Sequence, residues 1–362
     1  MAGTPFNYLT NLARLPLNRR ILRPLVIVYT LTAQCNLNCA YCEDFGARRN
    51  AAHPAPLPLT DAQRLLRILR QATDALLLTG GEPLLYPDLP ALLAHARREL
   101  RFRHITLLTN ATLLAEHWDV LPAIDRLMIS LDATAPETWG RTLGGPAGTA
   151  QRILANIRAA AARQSADRFR LALNCVVTPE TLPQIESVLD FCIEIGALFS
   201  FSPQSFNNWP RYELLVSDEY RAFIRRMVAR KRQGAPMLAS GAYLKMLHNF
   251  EPYACYPMLA PRVLPDGGLA YPCRPIEREG DAPDGRGAHG GRDVNVLTCG
   301  SWDAAVRQAI ARYGDPPATC GSCFQQCYIE PSLLQTRPLT LLGEVLRYPS
   351  VRQGRLWTYA PG

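Results

Sequence analysis

The run Leu25-Val26-Ile27-Val28-Tyr29-Thr30-Leu31-Thr32-Ala33-Gln34-Cys35-Asn36-Leu37-Asn38-Cys39-Ala40-Tyr41-Cys42 passes from an apolar, β-branched segment straight into a loop with three cysteines. Leu25 to Thr30 suits a strand buried on both faces, as in a parallel sheet. The cysteines follow with the spacing C-x3-C-x2-C. A tight loop after a strand can aim all three sulfurs at one four-iron cluster and leave one iron without a protein ligand. A structural zinc site or an electron-transfer cluster closes all its positions. An open position is built to bind something else and do chemistry on it. The alternative reading of the triplet is a zinc knuckle, or thiols unrelated to one another.

Strands and helices alternate outward from this segment. Thr60 caps an amphipathic helix with Leu65, Leu66, Ile68 and Leu69 on its apolar side. Ala75 to Leu78 reads as a second strand, ending at Gly80-Gly81, and residues 89–100 as a helix. Ile105 to Leu108 is a third strand, ending at Thr109-Asn110, and Leu127 to Leu131 a fourth, ending at Asp132. A helix over 149–163 precedes a fifth strand, Phe169 to Val177, and a helix over 182–195 precedes a sixth, Leu198 to Phe201. Asp218 to Arg230 is the helix after it. Such alternation implies a parallel sheet with right-handed crossovers, and six strands leave an α/β barrel partly open. Ligands bind at the carboxyl ends of such strands, where every motif found here falls.

The second motif is Thr79-Gly80-Gly81-Glu82-Pro83. C-x3-C-x-aromatic-C after an apolar strand, with Gly-Gly-Glu-Pro at the next strand end, resembles the radical S-adenosylmethionine (SAM) superfamily over roughly residues 24–200. The resemblance implies a partial (β/α)6 TIM-like barrel, a [4Fe-4S] cluster on Cys35, Cys39 and Cys42, and SAM chelated to the open iron. It implies reductive cleavage of SAM to a 5′-deoxyadenosyl radical that abstracts a substrate hydrogen, with an electron donor such as flavodoxin or ferredoxin. It places Tyr41 near the adenine and the Gly80 and Gly81 carbonyls near the SAM amino group. Glu82 then holds the turn, and Pro83 fixes the exit of the chain. Asn110, Ser130, Asp132 and Asn174, at or near strand ends, would face the ribose or the methionine carboxylate.

After residue 230 helical periodicity fades while Pro, Gly and Cys rise. Cys255 and Cys273 are 17 residues apart in the sense C-x17-C, followed by Cys320-x2-Cys323 and Cys323-x3-Cys327. This resembles the auxiliary-cluster extensions called SPASM and twitch domains, closer to a twitch domain with one fully ligated [4Fe-4S] cluster. Four of these five cysteines would hold it, Cys327 being the substitute; a zinc ribbon fits four thiolates as well. An auxiliary cluster could take an electron from a substrate radical. Phe199, Phe201, Gln204, Phe206 and Trp209 stand on or after the sixth strand, placed to line the cavity between the clusters. Asp266, Arg274 and Glu277 near Cys273 are candidate substrate or proton-transfer groups. The expected organisation is a basic leader over 1–24, a core barrel over 25–235, a Cys-rich auxiliary domain over 236–335 and a tail over 336–362.

The chain has 362 residues, 48% hydrophobic and 19% charged, ordinary for a globular protein. Its net charge of +8 comes from 39 Lys+Arg against 31 Asp+Glu, scattered along amphipathic helices rather than clustered with aromatics, so no nucleic-acid partner is expected. Eleven cysteines with no export signal at Met1 to Thr10 suit metal ligation in a reducing cytoplasm. The leader carries Phe6, Leu9, Leu12, Leu15, Leu17, Ile21 and Leu22 with Arg14, Arg19, Arg20 and Arg23 and no acid. It reads as a strap on the domain or as a helix at a membrane surface. No segment is long enough to span a membrane. The leader is short for a peptide-recognition domain, so the expected substrate is a small molecule or lipid intermediate, a peptide needing a separate carrier. A non-catalytic iron–sulfur or zinc protein is the contrasting class.

Overall fold

All six expected strands form, each within a few residues of its expected bounds: β1 (Ile27–Thr30), β2 (Ala75–Thr79), β3 (His104–Thr109), β4 (Arg126–Ser130), β5 (Arg170–Val177) and β6 (Leu198–Pro203). The structure, a computed structural model, describes residues 3–17, 21–42, 44–45, 55–206, 209–276, 290–316 and 323–339. The Gly- and Asp-rich run of 278–293 therefore falls largely outside the described residues, as do Cys320, Glu277 and the tail beyond 339. After β6 comes a two-residue-a-side hairpin, β7 (Ser205–Phe206) and β8 (Trp209–Pro210). Two further short strands, β9 (Arg262–Val263) and β10 (Leu269–Ala270), join the main sheet.

The sheet order is β10-β9-β1-β2-β3-β4-β5-β6, parallel from β9 through β6 and antiparallel only between β10 and β9. β6 gains one further parallel bridge, Phe199 to Met237, and the β10 side bridges at Tyr271 to Gly291, but among the described residues no strand joins the two ends, so the barrel is open. β9 comes from beyond residue 235 yet pairs Arg262 with Val28 and Val263 with Tyr29. Sheet and core thus run across the boundary that composition suggests.

Strand parity sorts the side chains. Ile27, Tyr29, Leu76, Leu78, Ile105, Leu107, Leu127, Ile129, Leu171 and Leu173 point outward into one large core shared with the helices. Val28, Leu77 and Ala260 form a smaller inner cluster, and Met128, Ala172 and Leu198 another. Runs such as Ala75-Leu76-Leu77-Leu78 are apolar at every position because both faces are buried.

The leader is a strap. Its helix, Thr4–Arg14, is tied at the amino ends of the strands. The Thr4 N–H and hydroxyl donate to Asp74 at 2.7 and 2.8 Å, a carboxylate placed where the helix dipole favours one. Asn7 Nδ2 donates to the carbonyls of Pro24 and Ala72, both at 2.7 Å. Asn11 donates to the Arg23 carbonyl at 2.9 Å and accepts the Arg23 N–H at 2.8 Å. The docked face is therefore polar.

Candidate active site

The cysteine loop has no regular structure of its own and is clamped on two sides. The Gly81 N–H donates to Thr32 O and the Glu82 N–H to Gln34 O, each at 2.8 Å. The Asn38 and Ala40 N–H groups donate to Leu143 O and Thr142 O at 3.1 and 2.9 Å, fixing the loop to the helix Pro136–Leu143. Cys35, Cys39 and Cys42 all line one cavity of about 160 Å³ with Gly80, Gly81, Asn110 and Ser130. The Leu37 N–H lies 3.4 Å from Cys35 Sγ and the Phe45 N–H 3.3 Å from Cys42 Sγ, donors that stabilise negative sulfur.

Burial pushes the Cys35 thiol up to about 11, opposed by the Leu37 N–H and reinforced by the charges of Glu82 and Cys42. Burial likewise pushes Cys39 up to about 12, with Asp132, Cys42 and Cys35 adding to it. These sulfurs crowd one another without a countercharge, which a cationic iron centre would supply. No further Cys and no His lines this cavity among the described residues. Nor do any three His, Cys, Asp or Glu side chains among them stand close enough to share a single metal ion. Three thiols with two N–H donors and, among the described residues, no fourth ligand fit a cluster that keeps one position open.

The glycines of the second motif are required by contact. A Cβ on Gly81 would sit 2.2 Å from Gln34 O, and one on Gly80 2.7 Å from Thr32 O. The end of β2 thus lies against the backbone just before Cys35, and both glycines also face the cavity. Glu82 is fully buried and joins the ends of β2 and β3. Its Oε1 accepts from the Leu84 N–H at 3.0 Å and the Thr109 hydroxyl at 2.6 Å, and its Oε2 from the Asn110 N–H at 2.7 Å. Burial still raises its carboxyl to about 7, the three donors working the other way. Pro83, also buried, starts the short turn Pro83–Leu85.

Tyr41 and Asp132 meet. The Tyr41 hydroxyl donates to Asp132 Oδ2, and the Val176 N–H donates to Oδ1 at 2.8 Å. Asp132 is 1% exposed, so it braces Tyr41 and β5 rather than facing the cavity as its place at a strand end suggests. Asn110 does border the cavity, with Nδ2 2.9 Å from Asn36 Oδ1 and 4.0 Å from Cys35 Sγ. Ser130, Asn174 and Ser200 stand side by side on paired strands, and the Ser200 hydroxyl donates to Asn174 Oδ1 at 3.0 Å.

Asn174 and Ser200 border a second cavity, about 310 Å³, inside the barrel. It shares Tyr41, Thr79 and Leu108 with the cysteine cavity, so the two adjoin. Asp44, Ser202, Gln204, Arg262, Gln326 and Cys327 are among its other polar neighbours. Phe199 and Phe201 do not line it. Parity turns them outward, where Phe201 meets Phe223 edge-on at 5.4 Å, while Ser200 and Ser202 turn in. Trp209 is 63% exposed, outside the cavity. Arg262 was not legible as a site residue, because a two-residue strand leaves no periodic signal; its parity follows only from pairing with Val28. Asp44 is shared by Arg262 at 3.4 Å and Arg274 at 3.3 Å. Asp266 is instead engaged by the Gly268 N–H at 3.0 Å.

Cys255, Cys273 and Cys323 are buried, and Cys327 lines the second cavity. Burial pushes Cys327 up to about 12, with Arg262 lowering it and Cys323 raising it. The Tyr328 phenol, raised by burial, also feels Cys273 and Cys327. The Tyr253 hydroxyl lies 3.6 Å from Cys323 Sγ. Cys327 on the wall of the second cavity is thus within electrostatic reach of Cys323, and Tyr328, on the same wall, within reach of both Cys273 and Cys327.

Fold and site together define a class: an open parallel barrel whose first strand feeds a loop of three thiols that share one cavity. Residues 29–192 match the model of the Radical SAM superfamily, and this part of the chain is a domain of that superfamily, whose cofactors are SAM and a [4Fe-4S] cluster. A probable GTP 3′,8-cyclase of Methanococcus aeolicus is 27% identical over 174 residues, 47% of this chain and 56% of that protein. An AdoMet-dependent heme synthase of Methanosarcina barkeri is 32% identical over 179 residues, 48% of this chain and 49% of that protein. The chain thus spans about half the length of the curated relatives it matches. Among solved structures, Streptococcus suis SuiB bound to precursor peptide SuiA is 19% identical, with a TM-score of 0.58 over 81% of this chain and 68% of that one. Native anSMEcpe with bound AdoMet is 14% identical, with a TM-score of 0.56 over 89% of this chain and 99% of that one. These likenesses are of fold.

Proposed function

We propose that this chain is a radical SAM enzyme that abstracts a hydrogen atom from a polar substrate held in the barrel cavity. Its second, C-terminal cysteine set would carry an auxiliary [4Fe-4S] cluster. The observation that carries the reading is the shared wall: Tyr41, Thr79 and Leu108 border both the three-thiol cavity and the barrel cavity. When bound, the cluster and SAM supply a 5′-deoxyadenosyl radical. The protein's part is to place a substrate C–H bond beside that wall and to keep water out. Asn174, Ser200, Ser202 and Gln326 offer hydrogen bonds to orient it, and Arg262, which shares Asp44 with Arg274, offers positive charge on the cavity wall. Such a lining favours a polar reacting group over an acyl chain. Cys327 on the cavity wall would let an auxiliary cluster take an electron from the substrate radical, which suits a net oxidation.

A peptide substrate is the second reading. It is favoured by the exposed Trp209 and Tyr212, 63% and 71% accessible, on and just after the hairpin that leaves β6 at the cavity end of the barrel. The fold-level likeness to SuiB bound to precursor peptide SuiA leans the same way.

The test is anaerobic reconstitution followed by reduction with SAM present. The reading expects 5′-deoxyadenosine, about eight irons per chain, and loss of SAM cleavage in soluble Cys39→Ala protein. Four irons with one zinc would favour a zinc ribbon in the C-terminal set. SAM cleavage retained in Cys39→Ala would refute the site.

A further inference from the structure

We propose that the N-terminal strap is a docking face for an anionic lipid surface, at the end of the barrel away from the cysteine loop. The strap helix is mounted with its polar side inward. Thr4, Asn7 and Asn11 are buried and hydrogen-bonded to Asp74, Pro24, Ala72 and Arg23. Those bonds lock the rotation of the helix, because turning it would strip buried carbonyls and a carboxylate of their donors. Helical periodicity then puts Phe6, Leu9 and Ala13 on the opposite face, and the turn that follows adds Leu17. Phe6 is 58% exposed, Leu9 64% and Leu17 66%, and together with Ala13 they make one apolar stripe along the outside. An ordinary surface helix has its faces the other way round.

Charge selects the occupant. No Asp or Glu occurs from Met1 to Cys42. The Arg23 guanidinium lies over the Phe6 ring, 5.7 Å from its centroid, and Arg14 is exposed beside the stripe. The groove next to the strap, about 760 Å³, is bordered by Arg14, Arg23 and Arg307 against Asp303 and Asp315. Phe and Leu on one side with arginine heads at the margin is the chemistry of a helix lying in the interface plane of an anionic bilayer. Arginine can keep its charge among headgroups while its stem follows the apolar stripe down.

The test is flotation of the full chain with vesicles of phosphatidylcholine alone and with about a third phosphatidylglycerol, at about 0.1 and 0.5 M salt. The proposal expects binding to the anionic vesicles, weakened by salt and weaker still on neutral ones. Phe6→Ser with Leu9→Ser, both exposed side chains, should lower partitioning by about tenfold per residue, from the apolar area withdrawn. Circular dichroism and 5′-deoxyadenosine formation of that variant should match the parent. Leu17→Ser is the independent variant, lying outside the helix. Trp209→Ser with Tyr212→Ser, at the other end of the barrel, should leave partitioning unchanged. The proposal is overturned if the parent stays in the aqueous fraction, if neutral vesicles bind equally, or if the hairpin variant loses binding and the strap variant does not. It is also overturned if the stripe proves to be covered by a second copy, seen as a dimer that the strap variant dissociates, or by an acidic peptide that binds in place of vesicles.

Discussion

Replacing Glu82 by Gln sets burial against hydrogen bonding at one carboxyl group. In the parent, three donors converge on two oxygens, and only an ionised carboxylate accepts from all three without a donor of its own. Burial nevertheless lifts the group from 4.5 to about 7. A folded-state value above the unfolded one means that the fold binds the extra proton. Stability is then full below pH 4.5 and is lost as pH rises through about 7. At about 1.4 kcal/mol per pH unit the whole loss is about 3 kcal/mol, of which about 1.3 kcal/mol falls between pH 6 and 8. Gln does not titrate. It also turns an N–H donor toward the Asn110 N–H, a pH-independent cost of about 1–3 kcal/mol. The difference in unfolding free energy between the two proteins should therefore move by about 1 kcal/mol in the variant's favour from pH 6 to 8. Urea unfolding under anaerobic conditions at those two pH values reads it, and groups outside this pocket cancel in the subtraction. Parallel pH profiles would show that the three donors hold Glu82 ionised throughout, and the burial argument would fail.

Gly81→Ala must force its Cβ away from Gln34 O, 2.2 Å off, and should cost about 1–3 kcal/mol in urea unfolding, with iron content falling as the cysteine loop shifts. Gly140→Ala, with no atom within 4 Å of its added carbon inside a helix, should instead gain up to about 1 kcal/mol. Tyr41→Phe leaves Asp132 Oδ2 without its donor in a buried site and should destabilise by about 1–3 kcal/mol, read by thermal unfolding. Asn7→Ala strips the Pro24 and Ala72 carbonyls of their donor; local hydrogen exchange of the strap should rise before that of β2.

The barrel was legible because its strands are apolar at consecutive positions and its breaks fall at Gly, Asn and Asp. The cysteine loop was legible because thiols at fixed spacing have few other uses. Three things were hidden for physical reasons. Arg262 and Gln326 reach the second cavity through contacts between distant parts of the chain. Phe199 and Phe201 differ from Ser200 and Ser202 only in parity, and a strand seen alone has no inside. Asp132 lies two residues past the end of β4, and its burial goes with Tyr41 and the Val176 N–H, partners the strand pattern does not show. The strap teaches the same lesson: periodicity divides Thr4–Arg14 into two faces, and only the partners of Asn7 and Asn11 say which one is docked.

The strap is fastened beside Asp74, just ahead of β2, whereas the sulfurs gather just past its far end at Thr79. Five residues of strand, about 17 Å, separate the two. A molecule resting on that helix turns its reaction chamber toward the bulk solution. Under the proposed function, reductant and reactant would then arrive from the aqueous side, and a lipid would have to be lifted clear of its leaflet to enter the cavity.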